Sequence, residues 1–121
     1  MKLLIKAKFD AAHYIPNHPK CGRMHGHTYH VEIEFTPTKP LEDGMAVDFA
    51  VLKRIVREHI INYLDHKSLN DLFLLPEPST AENISIFIFM ALLNVLKDTR
   101  IDAEVSSVTV WETEDCGVRY P

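Results

Sequence analysis

The segment His25-Gly26-His27-Thr28-Tyr29-His30-Val31-Glu32-Ile33-Glu34-Phe35-Thr36 decides how this chain is read. From His27 onward, Tyr29, Val31, Ile33 and Phe35 alternate with His30, Glu32 and Glu34. A period of two, with aromatic and β-branched residues on one side, marks an amphipathic strand. Pro37 and Pro40 end it, because proline cannot donate to a sheet ladder. At its start, His25 and His27 stand two residues apart, so on extended backbone they project from one face and can reach one ion. Gly26 between them removes a side chain where the backbone passes close to the site.

Upstream, Lys2 to Phe9 mixes apolar residues and lysine in near-alternation and predicts a strand that leads to His13. Tyr14 to Met24 holds Pro16, Asn17, Pro19 and Gly22, and is therefore a loop. If the flanking strands pair, His13 returns beside His25 and His27 at one end of a sheet. Three imidazoles from two adjoining strands suit tetrahedral zinc with one open position, as in a catalytic site. His18 and His30 are expected at the surface, and His59 as a partly buried packing residue.

Downstream, Asp48 is placed to cap a helix carrying Leu52, Ile55, Val56, Ile60, Tyr63 and Leu64 at helical spacing. A second helix opens at Pro78-Ser79-Thr80-Ala81-Glu82, where Ser79 and Glu82 fit a capping box, and runs to about Leu96. Ala103 to Glu112 alternates again, and Asp115-Cys116-Gly117 turns the chain into a last strand, Val118 to Tyr120. The order ββααββ predicts an α+β protein: a four-stranded antiparallel sheet with two helices on one face. The other face lacks a cover, so a homo-oligomer is expected.

With 121 residues the chain suits one domain, 1–121, with a real core. Its net charge of −4 leaves no basic stripe to displace counterions, which excludes broad nucleic-acid binding. No apolar run reaches the length of a membrane span, and the amino terminus lacks the pattern of a signal peptide. A cytoplasmic protein without a membrane partner is expected. Cys21 and Cys116 do not form a disulfide framework.

Three further positions carry chemistry. Cys21 reads three ways: a thiolate ligand in Cys21-x-x-x-His25-x-His27, a base or nucleophile above an open metal position, or an inert buried thiol. Asp65-His66 closes the first helix; an adjacent carboxylate can orient an imidazole for proton transfer, although such pairs also occur at helix ends without function. Glu112 continues the face of Val108 and Val110. It either escapes into water or sits in a pocket, where a carboxylate binds paired N–H groups of a planar ring in bidentate fashion.

Taken together, Phe9-Asp10-Ala11-Ala12-His13, Cys21-Gly22-Arg23-Met24-His25-Gly26-His27, Asp48-Phe49, Leu64-Asp65-His66, Pro78-Ser79-Thr80-Ala81-Glu82-Asn83 and Trp111-Glu112-Thr113 resemble the family of 6-pyruvoyl- and 6-carboxytetrahydropterin synthases. The resemblance spans nearly the whole chain. It implies the tunnelling fold, with sheets of several subunits closing into a barrel, and a hexamer of two trimers with active sites between subunits. It implies zinc on His13, His25 and His27, and Cys21 as catalytic base. Asp65 and His66 complete the proton-transfer group from a neighbouring subunit, and Glu112, with Thr113 beside it, grips the pterin. Thr80 is a further pocket residue, equally readable as a helix cap. The implied substrate is 7,8-dihydroneopterin triphosphate. The short chain, the compact Cys21–His27 loop and the ending Cys116-Gly117-Val118-Arg119-Tyr120 look like the carboxy branch, which leads to deazaguanine nucleosides; the pyruvoyl branch is the alternative, and a non-catalytic zinc or pterin binder a third. Lys20, Arg23 and Arg119 are candidate partners for the triphosphate.

Overall fold

The computed structural model describes residues 1–121. Strand β1 (Leu3–His13) pairs antiparallel with β2 (His25–Pro37), in a register that sets Leu3 opposite Phe35 and His13 opposite His25. Helix α1 (Phe49–Val56) follows, capped by the Asp48 carboxylate accepting the Ala50 N–H at 2.9 Å. It runs through a π-helical turn (Arg57–Ile61) into the short α2 (Asn62–Leu64). Beyond the two-residue strand β3 (Lys67–Ser68) come α3 (Ala81–Lys97), β4 (Ala103–Trp111) and β5 (Gly117–Tyr120). The sheet order is β3-β1-β2-β4-β5.

The alternating pattern does what the sequence predicts. Tyr29, Val31, Ile33 and Phe35 are all buried on the helix side, whereas Glu32 and Glu34 face the open side with Lys6 and Arg119. Against this face pack Leu52, Ile55, Val56, Ile60 and Leu64 from the first helical stretch and Ile84, Ile88, Leu92 and Leu96 from α3. The four α3 residues recur every fourth position, one stripe of a helix laid on a sheet. In β4 the period slips: Val105 and Val108 are three apart yet both buried. The register shift between Glu34 and Phe35 absorbs the extra residue, Ser106, whose Oγ donates to the Glu34 carbonyl at 3.0 Å.

Three expectations are corrected. The sheet has five strands rather than four, because Lys67 and Ser68 pair in parallel with Ala11 and Ala12; two residues carry no periodic signal. Thr80, not Ser79, caps α3, with its hydroxyl accepting the Asn83 N–H at 3.3 Å, while Ser79 is buried and turned toward His13. His59 is exposed, since the wider π-helical turn rotates it off the stripe that Ile55 would share with it in a regular helix.

Ile88 lies fully buried at the centre of the α3 stripe. Ile88→Ala is expected to lower stability by about 2–5 kcal/mol, read as a drop in the urea midpoint at fixed protein concentration. A midpoint equal to that of the parent protein would place the core elsewhere.

Candidate active site

His13 ends β1 and His25 begins β2, so the pairing of the two strands lays their rings side by side, and His27 follows on the same face. The ring centroids are 4.6 Å (His13–His25), 4.9 Å (His25–His27) and 5.2 Å (His13–His27) apart. One ligand atom from each lies within 4.8 Å of the others, and Cys21 is not part of this group. A set of three histidines without the thiol corresponds to the open type of zinc site rather than the closed structural type.

The hydrogen bonds around the rings fix which nitrogens are free. His13 Nδ1 donates to the Ser79 carbonyl at 2.8 Å, and His25 Nδ1 donates to the Arg23 carbonyl at 2.6 Å. In both rings this leaves Nε2 with its lone pair unprotonated, the state that binds a metal. His27 Nε2 is buried and has no hydrogen-bond partner. Burial pushes the pKa of His13 down, partly offset by the Ser79 hydrogen bond, and burial does the same to His27 against the opposing pull of Glu112. Three imidazoles gathered around one point, two of them favoured in the neutral form by burial and one with an orphaned nitrogen, fit a bound cation. Tyr29 lies alongside, its hydroxyl 3.3 Å from His13 Nε2, and burial raises its pKa so that it stays protonated.

Glu112 leans over this group, Oε1 3.7 Å from His27 Nε2 and Oε2 4.0 Å from His13 Nε2. A tight turn holds it: the Glu112 N–H donates to the Cys116 carbonyl at 3.0 Å, and Thr113 Oγ1 accepts the Cys116 N–H at 3.1 Å. Thr113 is exposed, and in the single chain its hydroxyl serves the turn. Gly117 closes the turn under the Trp111 ring, where an added Cβ would sit 2.7 Å from ring carbons.

Beside the histidines a cavity of about 380 Å³ brings together Cys21, Thr80 and Glu112, with His18, Cys116 and Val118 in its walls. Cys21 and Cys116 are both free thiols. Asp65 and His66 do not line this cavity. They are oriented as a pair, Asp65 Oδ2 accepting from His66 Nδ1 at 2.8 Å, but His66 is exposed and lines a groove of about 630 Å³ with Asp10, His27, Thr28 and Lys67. Cys21 and Glu112 do not reach this groove. The Asp10 N–H, which donates to Asp65 Oδ1 at 2.9 Å, and then His66 hold the Asp65 carboxyl below its ordinary range. Of the basic candidates, Arg119 is engaged on the open sheet face by Glu32, Glu34 and Thr109, and Lys20 and Arg23 are exposed outside the cavity.

Sequence reasoning missed two contributors. Ser79 acts through its carbonyl, which leaves no signature in residue type. Asp10 acts through its backbone on both Asp65 and His66, since its carbonyl also accepts the His66 N–H at 2.6 Å. Its place on the polar side of β1 with Lys6 and Lys8, and within the Phe9–His13 segment, gave no sign of a backbone role.

Fold and site together define an α+β protein that gathers three imidazoles, a carboxylate and a thiol at one end of a sheet. A family model described as 6-pyruvoyl tetrahydropterin synthase matches residues 2–121, and the chain belongs to that family of enzymes. It is 47% identical over 88 residues to a putative 6-carboxy-5,6,7,8-tetrahydropterin synthase of Archaeoglobus fulgidus, covering 73% of this chain and 72% of that one. It is 38% identical over 117 residues to the 6-carboxy-5,6,7,8-tetrahydropterin synthase of Synechocystis, covering 93% and 86%. The structure of 6-pyruvoyl tetrahydropterin synthase from Caenorhabditis elegans superposes with a TM-score of 0.82 at 25% identity, over 99% of this chain and 94% of that one. No helix is long and apolar enough to cross a membrane.

The depressed His13 and His27 set a pH dependence. Unfolded, both titrate near the ordinary value of 6.5. Below that value the unfolded chain binds more protons than the folded one, so stability rises with pH. Metal-free protein is therefore expected to lose stability from about pH 7 toward about pH 5, with a shallower slope in His13→Gln. Urea midpoints that stay level across this window in the parent protein contradict the burial assigned to the two rings.

Proposed function

We propose that this protein is a 6-carboxytetrahydropterin synthase, one tunnelling-fold domain over residues 1–121. It converts 7,8-dihydroneopterin triphosphate to 6-carboxy-5,6,7,8-tetrahydropterin, with release of acetaldehyde and triphosphate, toward deazaguanine precursors. The observation that carries the reading is the buried, partnerless Nε2 of His27, facing Glu112 at the edge of the Cys21 cavity. The names of the Archaeoglobus fulgidus and Synechocystis relatives favour the carboxy branch.

His13, His25 and His27 hold zinc, with Ser79 and Arg23 fixing the tautomers of two of them. Bound there, zinc supplies Lewis-acid polarisation of the substrate's side-chain oxygens. Glu112 accepts the paired N–H groups of the pterin ring and orients the side chain toward Cys21. Cys21, as thiolate, takes a proton from a side-chain carbon. Thr80 caps α3 and shapes the same wall, and Thr113 keeps the Glu112 turn closed.

His66, steered by Asp65, performs the complementary proton transfer for a neighbouring subunit. The placement of edges supports this. β5 forms one edge of the sheet beside the Cys21 cavity, whereas the other edge is β3 with the stretch of β1 that β3 leaves unpaired, beside His66. Two different edges that pair head to tail generate a ring, and each junction in it joins one chain's Cys21 half to the next chain's His66 half. A trimeric ring stacked as a hexamer is the assembly proposed.

Incubation with dihydroneopterin triphosphate is expected to release acetaldehyde. A retained diketo side chain would assign the pyruvoyl branch, and unchanged substrate with tight pterin binding a non-catalytic binder. Cys21→Ala should keep its zinc and lose turnover, and full turnover would remove Cys21 from the chemistry. Glu112→Gln should raise KM by about 10–100-fold through loss of a charge-assisted pair. Mixing inactive Cys21→Ala and His66→Ala chains, unfolded and refolded together, should restore part of the activity. A dead mixture would confine each site to one subunit.

A further inference from the structure

We propose that His18 is a positioning residue for Cys21: its imidazole, by accepting the Cys21 backbone N–H, fixes the thiol against the cavity that also holds Glu112. The proposal rests on the reading of Cys21 as the proton-transferring thiol.

Cys21 sits in the loop Tyr14 to Met24, which has no regular structure to hold it. What holds it is centred on His18. The Nδ1 of His18 accepts the Cys21 N–H at 2.9 Å and, more loosely, the Lys20 N–H at 3.3 Å. The His18 N–H donates to the Ile15 carbonyl at 3.2 Å, and its own carbonyl accepts the Gly22 N–H at 3.0 Å. The loop is closed once more by the Ile15 N–H donating to the Cys21 carbonyl at 2.7 Å. His18 thus grips both sides of the thiol-bearing residue, by its ring at Cys21 and by its carbonyl at Gly22.

Two backbone features admit this arrangement. Asn17, immediately before His18, has a positive φ of 64°, a conformation asparagine tolerates better than most residues. At Gly22 a Cβ would stand 2.5 Å from the His18 carbonyl oxygen, so a side chain there would break the clasp. A histidine on a surface loop ordinarily turns both nitrogens to water. Here Nδ1 is committed inward as an acceptor, which requires the tautomer with hydrogen on Nε2, and His18 itself lines the cavity with Cys21.

The full-length, zinc-loaded protein tests this with His18→Ala, His18→Asn and His18→Gln. Two readouts apply: the iodoacetamide alkylation rate of Cys21 relative to Cys116, followed peptide by peptide by mass spectrometry, and kcat and KM for dihydroneopterin triphosphate. In His18→Ala the alkylation ratio should shift and kcat should fall, each about 5–10-fold, with KM and bound zinc near the parent values. Asparagine places its carbonyl oxygen where Nδ1 stands and should restore both readouts. Glutamine fills similar space but carries its acceptor farther out, and should behave as alanine does. Parent-like alkylation and kcat in His18→Ala, or a failure of asparagine to rescue, overturns the proposal. Full turnover in Cys21→Ala would instead sink the reading of the thiol, while the alkylation ratios would still judge the clasp.

Discussion

The pairing of β1 with β2 in the register that sets His13 opposite His25 is the constraint on which the rest of the molecule depends. Strand residues alternate between faces, so a slip of one position would send His13 away from His25 and His27. The register is fixed by packing rather than by the loop. Phe9 and Tyr29 stack at 4.8 Å on the buried side, and Ala11 faces His27 across the strands. From below, the segment before α3 delivers the Ser79 carbonyl to His13, so the first turn of that helix and the end of the first strand are set against each other.

This packing has an electrostatic consequence. Three imidazoles are brought together beside one carboxylate, two of them, His13 and His27, pushed toward the neutral form by burial, and nothing in the chain satisfies the nitrogen of His27. A protein that only had to fold would gain by filling that place with apolar residues. Local rules of stability are broken at functional sites and compensated elsewhere. Here the compensation is the layer of buried aliphatic and aromatic residues directly beneath.

How far the sequence discloses this depends on the kind of signal. The central strand was legible because Tyr29, Val31, Ile33 and Phe35 follow a strict period; α3 was legible from its start signal, whereas its buried stripe was not, because residues 84 to 93 are almost all apolar. The three histidines were legible because an alternate pair in a strand shares a face. What escaped acts through the backbone or through local departures from regular geometry. β3 holds its place by ladder bonds of two residues, Ser79 by its carbonyl, Asp10 by both of its main-chain groups, and His18 by a ring nitrogen turned inward. His59 was misplaced because a π-helical turn cannot be seen in residue type. The family resemblance supplied roles for Cys21, Asp65, His66 and Glu112 that spacing alone left open.

Cys21 and the Asp65–His66 pair are borne near opposite borders of one chain. In the ring proposed above every protomer would therefore serve two reaction centres, lending a different half to each. A copy altered in one half only would spoil a single centre and still complete its neighbour's, whereas a copy altered in both halves would spoil two.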